Sequence, residues 1–437
     1  MSPRRKDNGH AARDRAAIVS GRRTPFARAG GELESLDVLE LARGPAVELL
    51  AGLDLDGSDV DAVVFGNVSR PVRYHNLARE LVFAANLDRS TPAYTVSLAC
   101  ASSCQAFTNG VDLIERGYAR SVLAGGVESL SNVPIQYSPR LARTLVRASR
   151  AKTPLAKAQT FATVRPADLA PVAPAIKETS TGLSMGESAE LMAKVNDIGR
   201  REQDEYALAS HQRAAAESAS RQAELAPVYL NGSTARAVTA DNQIRSDTSL
   251  EKLSALAPVF DRAYGTVTAG NSSPLTDGAC AMIAMSERHA AERGLQPVAV
   301  VRSYAYAAVD PAGQLLLGPA YAIPVALDRA GLKLGDVDVI EMHEAFAAQV
   351  LSTLRCLESD TFAEEELGRV SQIGVVDRDK LNVGGGSIAL GHPFGATGVR
   401  VLMDLARHLH ERDGTFGLAS VCAAGGVGCA IVLERVA

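Results

Sequence analysis

Apolar and polar positions along this chain repeat with two periods, and the periods alternate in a regular order. Residues 16–20 read as a strand that runs into the turn Gly21-Arg22-Arg23-Thr24-Pro25-Phe26. Residues 36–51 carry apolar side chains at helical spacing, with Pro45 as a predicted kink. The acidic turn Gly52-Leu53-Asp54-Leu55 then leads into a strand over 60–66. Farther on, Tyr94, Val96 and Leu98 alternate with Thr95 and Ser97, which predicts a short strand. Phe107, Val111 and Ile114 follow on one helical face, and Gly117 sits where that helix would stop. Strands alternating with helices predict an α/β protein whose mixed, mostly parallel sheets are covered by helices.

The pattern returns downstream. A helical segment over 321–330 precedes Gly331-Leu332-Lys333-Leu334-Gly335-Asp336 and a strand over 337–342. Cys100 stands before a helix carrying Gly110-Val111, and His392-Pro393 stands before one carrying Gly398-Val399. Val122-Leu123-Ala124-Gly125-Gly126 is echoed by Val421-Cys422-Ala423-Ala424-Gly425-Gly426. Two similarly folded halves follow. If equivalent loops face one another, Cys100, His392 and Cys422 meet.

The segment between the halves differs in character. From Pro139 to Arg165 it holds Arg140, Arg143, Arg147, Arg150, Lys152, Lys157 and Arg165 without an acidic residue. Residues 166–179 are rich in Ala and Pro, and 186–224 are strongly helical. The expected divisions are a leader at 1–15, an N-terminal half at 16–128 plus 266–290, an inserted loop domain at 129–265, and a C-terminal half at 291–437.

Composition adds limits. A chain of 437 residues is too long for one simple core, and a net charge of -5 gives no argument for nucleic acid. No apolar run reaches the roughly 18 residues of a membrane span, and the basic, polar start lacks the apolar core of a secretory signal. Six scattered cysteines fit free thiols in a reducing cytoplasm. Cys100 and Cys104 are not spaced as a zinc or redox pair, so no metal is expected.

At a strand-to-helix turn, Cys100 would feel free N–H groups and the positive end of a helix dipole, which favour the thiolate. The same stretch also fits a buried cysteine that packs as a small hydrophobe. Four further stretches carry candidate chemistry: His343-Glu344-Ala345-Phe346, the run from Asn382 to Gly398 around Gly391-His392-Pro393, Cys422-Ala423-Ala424-Gly425-Gly426, and Ser272-Ser273. His408 and His410 sit on a polar helix and are expected at the surface.

In this order and spacing, these stretches resemble the thiolases, which make and break 3-ketoacyl-CoA. Ala99-Cys100, His343 in place of the usual Asn, and Ala-Ala after Cys422 resemble the β-subunits of fatty-acid-oxidation trifunctional complexes. The resemblance implies duplicated α/β halves in an αβαβα layering with an inserted loop domain. It implies that Cys100 takes the acyl group, that His392 draws its proton, and that Cys422 is the second acid/base. It places one oxyanion site at His392 and a water held by His343, and the other at the backbone N–H groups of Cys100 and Ala424. Arg245 matches the arginine near the CoA adenine, Ser273 the hydroxyl on the pantetheine arm, and Met185 the methionine by the thioester. CoA enters as substrate and no further cofactor is implied.

The activity so implied is degradative 3-ketoacyl-CoA thiolysis in β-oxidation. A biosynthetic acetyl-CoA acetyltransferase, a ketoacyl-synthase-like condensing enzyme and a non-catalytic scaffold are the competing readings. Cys422 argues against the condensing enzyme, and the joint presence of Cys100, His343, His392 and Cys422 argues against the scaffold. The implied partners are acyl-CoA and CoA, a second copy of the chain as a dimer or dimer of dimers, and a hydratase–dehydrogenase α-subunit. Contact with a membrane surface is left open.

Overall fold

The computed structural model describes residues 14–172, 177–230 and 236–436. Most of the expected leader, 1–15, lies outside the described residues. The first half contains β1 (Ala16–Arg23), β2 (Ala27–Arg28), α1 (Val38–Gly52), β3 (Ala62–Gly66), α2 (Leu77–Ala84), β4 (Ala93–Val96), α3 (Ser102–Glu115) and β5 (Ser121–Glu128). The long middle segment contains α4 (Pro139–Arg150), α5 (Pro154–Phe161), α6 (Met185–Val195), α7 (Arg200–Ala216), α8 (Ser218–Arg221), β6 (Val228–Leu230), β7 (Arg236–Val238) and α9 (Leu250–Ser254). The chain then returns through β8 (Thr276–Ser286) and α10 (Glu287–Glu292). The second half is β9 (Ala299–Ala308), α11 (Gly318–Ala330), β10 (Val339–Met342), α12 (Ala347–Leu357), α13 (Asp360–Glu365), α14 (Ser387–Leu390), α15 (Thr397–Glu411), β11 (Phe416–Ala423) and β12 (Val427–Arg435).

The strands run in the order β10-β11-β12-β9-β1-β8-β5-β3-β4. The repeat predicted from sequence is visible in the pairing. β3 lies parallel to β5, and β10 lies parallel to β11. β8 then runs antiparallel to β5 as β12 runs antiparallel to β11. The expectation of mostly parallel sheets is corrected here, because β1, β8, β9 and β12 all pair antiparallel. The physical reason at one corner is length: only Ala424, Gly425 and Gly426 separate β11 from β12, enough for a hairpin but not for a parallel crossover.

Five layers result. α1, α2 and α10 cover the outer face of the first half, and α11 and α12 cover that of the second. Between the halves, α3 packs on β3 and β5, α15 packs on β10 and β11, and the two helices touch each other. One apolar cluster, including Phe107, Val111, Val399, Leu402 and Leu405, fills this central layer. Sandwiched on both sides, α15 is buried along almost its whole length. Among the described residues no helix is long and apolar enough to cross a membrane.

The middle segment is tied to the halves by buried polar groups. Arg23, fully buried at the end of β1, donates to Glu224 at 2.7 Å and to both oxygens of Asp241 at 2.7 and 2.8 Å. Glu344 accepts from Tyr206 Oη at 3.0 Å, Ser210 Oγ at 2.7 Å, Asn382 Nδ2 at 2.8 Å and the Ile388 N–H at 3.1 Å. Removing one member of such a set strands a buried charge, at a cost of about 3–5 kcal/mol.

His408 departs from its expected place. It is 1% exposed, because α15 is a central helix and not a surface one. His410 is exposed, as expected. His408 Nδ1 lies 2.7 Å from Glu341 and its Nε2 lies 2.9 Å from Glu217. Burial alone would lower its pKa. Hydrogen bonds to Glu217 and Glu341, with Asp404 nearby, outweigh burial and bring it up to about 9. A histidine raised in this way stabilises the fold fully below its unfolded value near 6.5, and that contribution is lost as pH rises through 9. We expect the protein to lose a few kcal/mol of stability between pH 6.5 and 9. His408→Gln should flatten that slope, as read by urea unfolding across the same range.

Candidate active site

The Cys100 turn is built locally. After β4 the chain bends through Ala99, whose φ of 45° is left-handed for a residue with a Cβ. That conformation costs about 1–2 kcal/mol. Ser102 at the start of α3 holds it: its Oγ accepts from the Leu98 N–H at 2.8 Å and donates to the Ala99 carbonyl at 2.6 Å. Cys100 is thereby placed, half-buried, at the N-terminal end of a central helix.

The opposing loop brings the imidazoles. Gly391 has φ of 102°, and a Cβ there would lie 2.3 Å from Thr276 Cγ2, so only glycine fits. On the other side, a Cβ on Gly126 would lie 1.9 Å from the Gly395 carbonyl oxygen. These two glycines let the loop sink between the halves. There His392 Nε2 lies 3.1 Å from Cys100 Sγ, and His392 Nδ1 lies 2.6 Å from Thr397 Oγ1. His343, at the end of β10, is fully buried with its ring centroid 4.2 Å from that of His392. Cys100 Sγ and one ring nitrogen from each histidine all lie within 4.8 Å of one another.

Cys422 reaches the same place from β11. It is 1% exposed, and burial and the nearby Cys100 push its thiol well above the ordinary range. The N–H of Ala424, in the turn that follows, acts on the Cys100 sulfur together with Cys100's own N–H. The site therefore holds two cysteines, two imidazoles and two backbone donors, assembled from both halves.

Electrostatics overturn one expectation. Burial pushes the Cys100 thiol up to about 12, outweighing the Ala424 and Cys100 N–H groups, which favour the thiolate. Burial, and then the charge of Arg400, hold His392 down at about 3. The resting pair is thus a neutral thiol and a neutral imidazole, and the proton moves only as sulfur attacks. Iodoacetamide labelling of Cys100, followed by mass spectrometry, should accelerate about tenfold per pH unit from pH 7 to 9. A plateau already reached by pH 7 would show a resting thiolate instead.

Residues 16–288 match the family described as thiolase, N-terminal domain, and residues 295–435 match that described as thiolase, C-terminal domain. The chain belongs to the thiolase family. It is 48% identical over 423 residues to a 3-ketoacyl-CoA thiolase of Pectobacterium carotovorum, covering 96% of this chain and 97% of that protein. A 3-ketoacyl-CoA thiolase of Escherichia coli is 47% identical over 422 residues, with the same coverage of 96% and 97%. The crystal structure of human mitochondrial 3-ketoacyl-CoA thiolase superposes with a TM-score of 0.81 at 32% identity, covering 98% of this chain and all of that one. That of the Bacillus anthracis acetyl-CoA acetyltransferase gives a TM-score of 0.83 at 31% identity, covering 97% of this chain and 100% of that one. The protein is an acyltransferase with the thiolase fold.

Beside the paired thiols and imidazoles of this thiolase opens a hollow of about 180 Å³ lined by Arg245, Thr248, Lys252, Leu256, Ser272 and Ile388. Arg245 is exposed at its rim. The hollow adjoins the His392 loop, since the carbonyl of Pro274, one of its lining residues, accepts from the His392 N–H at 3.0 Å. Ser273 sits next to the hollow, with its hydroxyl 3.1 Å from the Ala345 carbonyl oxygen, to which it donates. Met185 opens α6 and packs in the apolar cluster that contains Cys422.

Sequence reasoning missed the groups that hold the loops. Glu128, at the end of β5, accepts from the N–H groups of Val68 at 3.1 Å, Ser69 at 2.8 Å and Gly395 at 3.1 Å. Burial pushes its carboxyl up to about 7 against those donors. Asn382, the first residue of the run singled out in the sequence, also holds a loop: in a left-handed turn with φ of 45°, it accepts from the Met342 N–H at 2.7 Å and donates to the Met342 carbonyl at 2.9 Å. The signal available was a glutamate closing an otherwise apolar strand, in Gly125-Gly126-Val127-Glu128.

Proposed function

We propose that this thiolase cleaves 3-ketoacyl-CoA with CoA, giving acetyl-CoA and a shortened acyl-CoA, through an acyl-enzyme on Cys100. The observation that carries the reading is the second thiol, Cys422, buried against the site in which Cys100 and His392 are 3.1 Å apart. A condensing enzyme of the ketoacyl-synthase type has no use for it.

In the first half-reaction the Cys100 sulfur attacks the 3-keto carbon as its proton passes to His392 Nε2. The carbon–carbon bond then breaks, and the acetyl-CoA enolate takes a proton from Cys422. In the second, Cys422 draws the proton from an incoming CoA thiol, which attacks the Cys100 thioester and releases the shortened acyl-CoA, while the departing Cys100 sulfur takes its proton back from His392. Negative charge develops on a carbonyl oxygen in each half. The Cys100 and Ala424 N–H groups serve one such oxygen, and His392 with His343 serves the other. CoA lies along the Arg245 hollow, with its adenine against the guanidinium plane, the pantetheine arm passing Ser273, and Met185 beside the thioester. Steady-state thiolysis of a chain-length series of 3-ketoacyl-CoA substrates tests the proposal. Turnover of acetoacetyl-CoA alone, with faster condensation than cleavage, would favour the biosynthetic acetyltransferase reading.

The same proposal takes in a hydratase–dehydrogenase α-subunit, in a cytoplasmic β-oxidation assembly built on at least a dimer of this chain. Its support is the pair α4 and α5. Arg143, Arg147 and Arg150 are exposed there beside Val146 at 50% and Leu155 at 68% exposure. Such a cationic and apolar face suits an acidic protein surface. Reversing the three charges to glutamate should weaken α-subunit association at low salt while leaving thiolysis of a short free substrate unchanged. Loss of vesicle binding with α-subunit binding intact would assign the face to a membrane instead.

A further inference from the structure

Two imidazoles lie in contact in this site, and each can carry its proton on either nitrogen. A base must offer a lone pair to the substrate side, whereas an oxyanion donor must offer an N–H. The structure decides the matter differently for the two rings.

For His392 the partner is Thr397. The Thr397 hydroxyl donates to the Pro393 carbonyl at 3.3 Å, so its oxygen accepts from His392 Nδ1 at 2.6 Å. The His392 proton is then on Nδ1, and its Nε2 lone pair faces Cys100 Sγ at 3.1 Å. For His343 the partner is Ser387. The Ser387 oxygen already accepts from Arg400 Nη2 at 2.7 Å. Its own hydrogen is directed to His343 Nδ1 at 2.8 Å, the second of the two hydrogen bonds that Ser387 Oγ makes among the described residues. His343 Nδ1 is therefore an acceptor, and the ring proton is on Nε2. That atom is buried and has no hydrogen-bond partner among the described residues.

Behind Ser387 stands a fixed support. Arg400 is 1% exposed and donates through Nη1 to Asp404 at 2.9 Å. Asp404 is fully buried and also faces Arg221 at 3.6 Å and Arg407 at 3.2 Å. A guanidinium cannot give up its proton, so Arg400 can only donate to Ser387. Burial, and the charge of Arg400, keep His343 neutral. An unpartnered N–H in such a pocket gains its bond when a substrate oxygen arrives.

We propose that Ser387 and Arg400 are positioning residues that lock His343 in the Nε2–H form, making it a neutral donor to the substrate oxygen, while Thr397 locks His392 in the opposite form as the base. The proposal rests on the thiolase reaction given above and deepens it. One residue type thereby supplies both roles within 4.2 Å, the separation of the two ring centroids.

A double-mutant cycle with Ser387→Ala and His343→Asn tests it. Asparagine offers an N–H whatever Ser387 does. In the wild-type background Ser387→Ala should lower kcat about 10–100-fold with KM changed little. In the His343→Asn background the same change should cost less than about threefold, and Ser387→Thr, which keeps the hydroxyl, should restore most of the wild-type rate. Equal losses in both backgrounds would mean that Ser387 only packs, and no loss in either would also overturn the proposal. Nitrogen NMR of ring-labelled histidine gives a readout that does not depend on turnover. The resonance pair lost in His343→Asn should be protonated at Nε2 and bare at Nδ1 in the wild type. The reverse assignment would overturn the proposal. Should the wild type fail to cleave any 3-ketoacyl-CoA, the functional reading fails, whereas the NMR assignment still judges the tautomer.

Discussion

Cys100→Ser is expected to abolish thiolysis and to leave the fold intact. Serine keeps the volume of the turn, and the bonds that hold Ala99 run through Ser102 and not through residue 100. The chemistry, however, needs a leaving group of the same kind on both sides of the transfer. An acyl group on sulfur can be taken up by CoA at little cost, whereas an ester on serine is a far poorer donor to a thiol. His392 at 3.1 Å would also have to remove a proton from an alcohol much less acidic than the thiol. Acetyl-CoA incubation, acid quench and peptide mass spectrometry should show an acetyl group on Cys100 in the wild type and none anywhere in the variant. Label on any other cysteine would remove Cys100 from its role. Unchanged circular dichroism and melting would show that the loss is chemical.

Cys422→Ala separates acylation of Cys100 from full turnover. The sulfur of Cys422 is buried and its thiol is held protonated at rest, as an acid waiting for an enolate should be. Without it, Cys100 and His392 remain, so acetylation from acetyl-CoA should still proceed. Turnover should fall by roughly 10²–10⁴, the usual scale for a positioned acid or base. The acetyl-enzyme should then accumulate, which a rapid-quench experiment reads directly. A variant that turns over normally would return Cys422 to the apolar cluster it shares with Val267 and Leu316.

The parts of the protein that depend on neighbours in sequence were legible in the sequence. The strand before Cys100, the helix after it and the echo of that helix after His392 each rest on local periodicity, and the fold places the two helices, α3 and α15, against each other in the central layer. The candidate site motifs were readable because each is a short run. What holds them was not readable, because its partners are far apart in the chain. Glu128 meets Gly395, and Glu344 meets Tyr206 and Ser210, through contacts that no window of sequence contains. His408 shows the opposite failure. Its helix carries enough charge to resemble a surface helix, yet in the interior Asp404 pairs with Arg400 and Arg407, and His408 pairs with Glu341 and Glu217. The thiol of Cys100 was misjudged for a related reason. The helix end and Cys100's own N–H are local and visible, whereas the burial that outweighs them exists only once the chain is folded.

The register of β1 bears on how the protein is made. Ala16 pairs with Ser286, and Ala17 pairs with both Met285 and Val300. The first strand to leave the ribosome therefore waits for nearly the last residues of its own half. At about 5–20 residues per second, that wait lasts some tens of seconds. Through that interval the nascent chain carries β1 without a partner, and β5 with one edge bare, since β8 fills that edge too. Closure of so long a loop is slow, and unpaired strands of this kind attract one another. Synthesis of this enzyme thus leans on whatever shields the emerging chain, and the late arrival of β8 is the event that ends the exposure.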